Sequence, residues 1–170
     1  MSGDSTRTDD QVWMTAALCE AAQAESENEV PVGAVVVLNG TIIGRGHNSP
    51  ISHNDPTAHA EIQALREAAQ HVGNYRLVGA TVYGTVEPCL MCMGALLQAR
   101  IKRLVFGCAD PKAGAAGSLY DVSRDPRLNH QIEVRAGVRE EESRALLQDF
   151  FHRKRSLDEQ KKETGNKENG

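Results

Sequence analysis

The chain has 170 residues, 40% hydrophobic and 25% charged, with a formal net charge of −4, a length suited to one domain whose core needs no disulfide staples. It holds no apolar run near the roughly 18 to 20 residues that cross a bilayer, and its polar first ten residues lack the layout of a secretory signal. The acidic balance excludes a surface coated in cations for indiscriminate nucleic-acid binding, so a soluble, cytoplasmic protein without a membrane partner is expected.

Residues 1–9 are polar and expected to be flexible, and the folded domain is expected over residues 10–157. Asp9 or Asp10 can cap a first helix that carries Trp13, Ala16, Ala17, Ala21 and Ala24 at helical spacing. Gly33 to Leu38 is a continuous apolar run, Asn39-Gly40 a strong two-residue turn, and Thr41 to Gly44 a returning strand, which predicts an antiparallel pair. His47 to Pro56 is rich in turn formers and reads as loop. A helix over Ala58 to Ala69 follows, capped by Asp55 or Thr57.

Ala80 to Val86 reads as a strand, Pro88 marks the start of the next helix, and Arg103 to Gly107 is another strand. Strand-helix-strand connections of this length favour parallel neighbours in a helix-covered sheet. After a small-residue loop, Ala109 to Ser118, come a fifth strand over Gln131 to Arg135 and a final helix from Arg139 to about Leu157. Residues 158–170 are polar, lack apolar anchors and are expected to be disordered. No internal repeat is present.

The chemistry concentrates in Thr57-Ala58-His59-Ala60-Glu61 and Glu87-Pro88-Cys89-Leu90-Met91-Cys92. A histidine and a Cys-x-x-Cys offer three zinc ligands in His59, Cys89 and Cys92, and Glu61 offers a general acid/base. A structural zinc site is closed by four protein ligands, whereas a catalytic one leaves a corner for water, whose pKa falls to roughly 7. Here no fourth ligand is evident. Cys89 and Cys92 share a helix face, but residues two apart do not, so convergence of His59 and Glu61 has to come from a position at a helix end. Both ligand sets would then sit at helix N-termini, where partial positive charge favours thiolate. Cys-x-x-Cys also occurs in zinc ribbons and redox pairs. A ribbon needs a second close pair and a thioredoxin-like pair encloses Gly-Pro after a tryptophan; this sequence has neither. Cys19 and Cys108 read as buried small side chains.

This constellation resembles the zinc-dependent nucleobase deaminases, with H-x-E followed by P-C-x-x-C. Val30-Pro31-Val32-Gly33-Ala34, Asn54 to Ile62, Asn74-Tyr75-Arg76-Leu77, Cys92-Met93-Gly94-Ala95, Ala99-Arg100-Ile101 and Gly114-Ala115-Ala116-Gly117-Ser118 are similar to the bacterial tRNA-specific adenosine deaminases. The resemblance runs from about Trp13 to Arg155 and implies a cytidine-deaminase-like α/β fold, three-layer α/β/α around a mixed five-stranded sheet. It implies one zinc ion per subunit on His59, Cys89 and Cys92. It also implies hydrolytic deamination of the wobble adenosine in a tRNA anticodon stem-loop, with Glu61 as proton shuttle, and a homodimer. By resemblance Asn48 bonds the target base, Val30 lines its pocket and Asp110 meets the neighbouring ribose.

Phe151 on the final helix offers an aromatic face to substrate, and Arg153 and Arg155 in His152-Arg153-Lys154-Arg155 offer phosphate contacts. A core position for either Phe150 or Phe151, and a solvated helix end offsetting the dipole, remain the plain readings. Aromatic content of 4% argues against a wide stacking surface. The chain departs from the family pattern at Ala109, where a basic residue is common, at Pro111, and at Gly84, which replaces a larger residue beside the expected pocket wall. Because a metal-activated water serves several rings, a free-base deaminase acting on guanine or cytosine is the alternative. A zinc-stabilised RNA-binding module without turnover is the alternative of a different class.

Overall fold

The computed structural model describes residues 3–165. In chain order they form α1 (Gly3–Ser26), β1 (Gly33–Leu38), β2 (Thr41–His47), α2 (Pro50–His53), α3 (Ala60–Val72), β3 (Thr81–Val86), α4 (Leu90–Gln98), β4 (Arg103–Cys108), β5 (Glu133–Arg135) and α5 (Glu140–Gly165). The strands make one five-stranded sheet of order β2-β1-β3-β4-β5. β1 is antiparallel to β2 and β3, while β3, β4 and β5 are parallel, so the sheet is mixed as expected. Asn39 and Gly40 both have positive φ, 51° and 70°, the backbone that a two-residue hairpin turn requires.

Continuous apolar strands are those buried on both faces. Ala34 and Val36 of β1, Val82 of β3, and Leu104 and Phe106 of β4 pack with Ala60, Ala64 and Ala68 of α3 and Met93 and Leu96 of α4. Val35, Val37, Tyr83 and Val105 point the other way, against Met14 and Ala17 of α1. α5 packs on β4 and seats Ser143 against Gly107. Each fully buried Val or Leu contributes about 1.5–3 kcal/mol, and the three-layer α/β/α arrangement follows from satisfying both faces. α3 lies directly on β2, where a Cβ at Gly44 or Gly46 would overlap the backbone carbonyls of Ala64 and Ala60. That close approach fixes the height of the α3 N-terminus above the sheet.

Several boundaries differ from the sequence reading. α1 begins at Gly3, so Asp10 lies inside the helix, fully buried, and caps nothing. Its carboxylate accepts hydrogen bonds from Tyr83 on β3 (2.8 Å) and Arg103 on β4 (2.8 and 2.9 Å) and pairs with Arg135 on β5. The turn formers of the expected loop include the short helix α2, with Pro50 in its first turn. α5 continues through Gly165 because Asp158 to Glu163 are mostly strong helix formers, although that stretch is exposed throughout. Residues 166–170 of the expected tail lie outside the described residues. Cys108 is buried as expected but Cys19 is exposed.

The Asp10 cluster predicts a stability effect. Burial opposes ionisation of Asp10, but hydrogen bonds from Arg103 and Tyr83 outweigh it and hold the pKa below its usual value. A group so depressed stabilises the fold above its unfolded pKa of about 4, and that contribution is lost as pH falls through the folded value. Asp10→Asn should therefore lower unfolding free energy by about 3 kcal/mol at pH 7. In urea titrations the gap from wild type should narrow below about pH 4.

Candidate active site

His59 is the N-cap of α3 and Cys89 the N-cap of α4, both in extended backbone (φ −77°, ψ 154° and φ −72°, ψ 174°). Neither Asp55 nor Thr57 caps α3. Asp55 instead accepts hydrogen bonds from the Thr57 amide and hydroxyl, and Asn48 Oδ1 accepts the Ala60 amide at 2.9 Å. Because His59 stands outside the helix and Glu61 within its first turn, the two side chains escape the helical rule that would separate them. His59 Nδ1 lies 3.6 Å from Cys89 Sγ and 3.5 Å from Cys92 Sγ, and the Cys92 thiol donates to Glu61 Oε2 at 3.5 Å. His59, Cys89 and Cys92 form a group whose ligand atoms all lie within 4.8 Å of one another, able to hold a metal ion.

The electrostatics of the four groups are interlocked. A hydrogen bond from Cys92, with help from His59, pulls the Cys89 thiol down to about 4. The same bond, with burial, pushes Cys92 up. His59 is raised chiefly by its bond to Cys89. Burial pushes the Glu61 carboxyl up, and its residue is only 3% exposed. A thiolate beside two helix N-termini is the donor chemistry a soft or borderline cation needs.

The group borders a cavity of about 710 Å³, ample for a nucleobase and its sugar. Val30, Asn48, Asp110 and Phe151 line it together with His59, Glu61 and Cys89. Phe151 is 44% exposed, whereas Phe150 is buried. Arg153 and Arg155 do not line the cavity. Arg153 pairs with Glu25 at the end of α1, and Arg155 is exposed.

The model of the MafB19-like deaminase family matches residues 8–155. The chain belongs to this deaminase family. A tRNA-specific adenosine deaminase of Haemophilus influenzae (strain ATCC 51907 / DSM 11121 / KW20 / Rd) is 50% identical over 147 residues, covering 86% of this chain and 85% of that protein. A solved structure from a study of A-to-I editing by tRNA:A34 deaminases at the wobble position of transfer RNA superposes with TM-score 0.77 at 45% identity, covering 79% of this chain and 98% of that one. A guanine deaminase from Bacillus subtilis gives TM-score 0.57 at 33% identity, covering 72% and 81% of the two chains.

Sequence reasoning missed three positions that α5 puts on the wall of this deaminase cavity. Arg144, Leu147 and Gln148 line it beside Phe151, a stripe at i, i+3, i+4 and i+7 that helical spacing anchored on Phe151 would have found. Ala109 and Pro111, two of the departures, do line the cavity. The third is not among the lining residues: Gly84 is buried in β3, paired with Ala34 and Phe106, and a Cβ there would meet only the carbonyl of the cavity-lining Val86, at 3.4 Å.

Proposed function

We propose that this deaminase converts adenosine to inosine at the wobble position of a tRNA anticodon, using water and releasing ammonia. The observation that carries the chemistry is the buried Glu61 carboxyl set against the His59, Cys89 and Cys92 group at the cavity edge. The choice of base and polynucleotide rests on the likeness to tRNA-specific adenosine deaminases over most of both chains. Bond lengths of about 2.3 Å to sulfur and 2.0 Å to nitrogen at tetrahedral angles separate the two donors by about 3.5 Å. The Sγ to Nδ1 distances of 3.6 and 3.5 Å therefore suit zinc. His59 Nδ1 and the Cys89 and Cys92 sulfurs would hold it.

The chemistry such an ion supplies when bound is a water acidic enough to attack near neutral pH. Glu61 would accept one proton from the attacking water and pass it to the purine ring nitrogen as C6 is attacked, then take the second from the hydroxyl added at C6 and pass it to the amine, which leaves as ammonia. Asn48 has committed its Oδ1 to Ala60, so it offers the base its amide NH₂. Val30 bounds the base, Asp110 faces the neighbouring ribose, and Phe151 gives an unpaired loop base a surface to stack on. Arg155 extends the α5 stripe beyond the cavity as an exposed cation that would meet backbone phosphate, and Arg153 would join it if released from Glu25. Phe151→Ala should weaken stem-loop binding about tenfold, read by fluorescence titration, with free-nucleoside turnover unchanged.

A second copy of the chain is proposed as the physiological partner. Leu90, Met91, Leu119 and Tyr120 are exposed apolar side chains on α4 and the loop beyond β4, which a homodimer would cover. A cytoplasmic enzyme fits a tRNA substrate. Among the described residues no helix is long and apolar enough to cross a membrane.

The guanine deaminase likeness favours one alternative, a free-base deaminase that shares the metal group and needs no RNA surface. Parallel assays separate the readings. Inosine should form in an anticodon stem-loop carrying wobble adenosine, while free guanine, cytosine and adenine release little ammonia. Rapid release from a free base with an untouched stem-loop would reverse the assignment.

A further inference from the structure

The loop from Ala109 to Ser118 carries Asp110, Pro111 and Lys112 onto the cavity, yet it is built largely of Ala and Gly and has little side-chain surface with which to pack. Its two ends converge instead on one carboxylate. Glu87 Oε2 accepts the Asp110 amide at 3.0 Å and the Ser118 hydroxyl, and Glu87 Oε1 accepts the amides of Ala116 (3.1 Å) and Ser118 (2.9 Å). Glu87 is 3% exposed and borders the same cavity. Among the described residues no cation pairs with it; its charge is met by N–H and O–H donors alone. The Glu87 amide in turn donates to the Cys108 carbonyl at 2.9 Å, and the Ala115 amide donates to the Pro88 carbonyl at 2.9 Å. A Cβ at Gly114 would overlap the Glu87 carboxylate, so the loop has no room there for any side chain.

We propose that Glu87 is a positioning residue whose carboxylate clamps both ends of the Asp110 to Ser118 loop against the strand end that delivers Cys89, and so sets where the nucleotide beside the target base meets the cavity. Only a carboxylate fits the donor count. A glutamine has one acceptor oxygen, and its NH₂ would face the Asp110 amide in one orientation and the amides of Ala116 and Ser118 in the other. A neutral side chain of the same shape therefore orphans at least one backbone donor and releases that end of the loop. The identity of the substrate comes from the tRNA reading above; the clamp is readable without it.

The test uses zinc-loaded full-length protein with Glu87→Gln and, separately, Gly114→Ala, which displaces the carboxylate without changing its charge. In both, bound zinc should stay at the wild-type ratio and the Asp110 and Ala116 amides should exchange with deuterium at least about tenfold faster. KM for the anticodon stem-loop should rise about tenfold, with kcat within about threefold. The double variant should be no worse than the more affected single one, because both remove the same contact. Unchanged loop exchange, a fall in kcat at constant KM, or loss of zinc from both variants would overturn the proposal. If wild-type protein converts no adenosine, the substrate reading fails, and the clamp is then decided by exchange and stem-loop binding, which it predicts to change together.

Discussion

Glu61→Gln should bind zinc as wild type does and lose about 10²–10⁴-fold in turnover. The carboxyl is outside the group that can hold the metal, so metal content is not at stake. It is buried, and the Cys92 thiol donates to it at 3.5 Å, a bond the amide oxygen can also accept, so the amide fits the same space. What the amide cannot do is take a proton from water and pass it to a ring nitrogen. Single-turnover inosine formation, with metal analysis on the same preparation, makes the check. Turnover within tenfold of wild type would remove Glu61 from the role of shuttle.

His59→Ala should fail in the opposite way, losing the metal first and activity as a consequence. His59 supplies the sole nitrogen donor of the group, and two thiolates from one turn of α4 make only half of a tetrahedral shell. Bound zinc should fall from about one per chain to near zero, and turnover by on the order of 10³-fold or more. The fold should survive, because Asn48 still caps the Ala60 amide and the α3 core face is untouched. Thermal melting gives an independent reading: added zinc should raise the melting temperature of wild type and leave His59→Ala unmoved. Full zinc occupancy in His59→Ala would mean that the ligand set is different.

The sequence displayed the His59, Cys89 and Cys92 group, which can hold a metal ion, because spacing at the two helix starts is local information. His59 with Glu61, and Pro88 with Cys89 and Cys92, each lie within one turn of chain. The Asn39-Gly40 hairpin and the doubly buried run from Gly33 to Leu38 were legible for the same reason. What escaped depends on residues far apart in the chain. Asp10 gives every local sign of a helix cap, yet α1 starts earlier and Asp10 meets Tyr83, Arg103 and Arg135 from three strands. Glu87 looks like a prefix to the cysteine motif, and its function in the fold shows only when Asp110, Ala116 and Ser118 fold back onto it. Resemblance points Asn48 and Asp110 to the substrate, both line the cavity, and geometry adds what each has left to offer. The Asn48 oxygen is committed to α3, and one Asp110 oxygen accepts the Lys112 and Ala113 amides. The run of basic residues marks Arg153 as a cation for phosphate, but its pair with Glu25 on α1 and its place off the Phe151 stripe show only in the fold.

One reaction decides whether this chain is a wobble-adenosine deaminase. Protein carrying one zinc per chain is incubated with an anticodon stem-loop whose single adenosine is at the wobble position, and the RNA is digested to nucleosides. The prediction is inosine in place of that adenosine, with an equal amount of ammonia, and none in a stem-loop whose adenosine has been moved into the helical stem. Fully metal-loaded protein that binds the stem-loop and leaves its adenosine intact would contradict it.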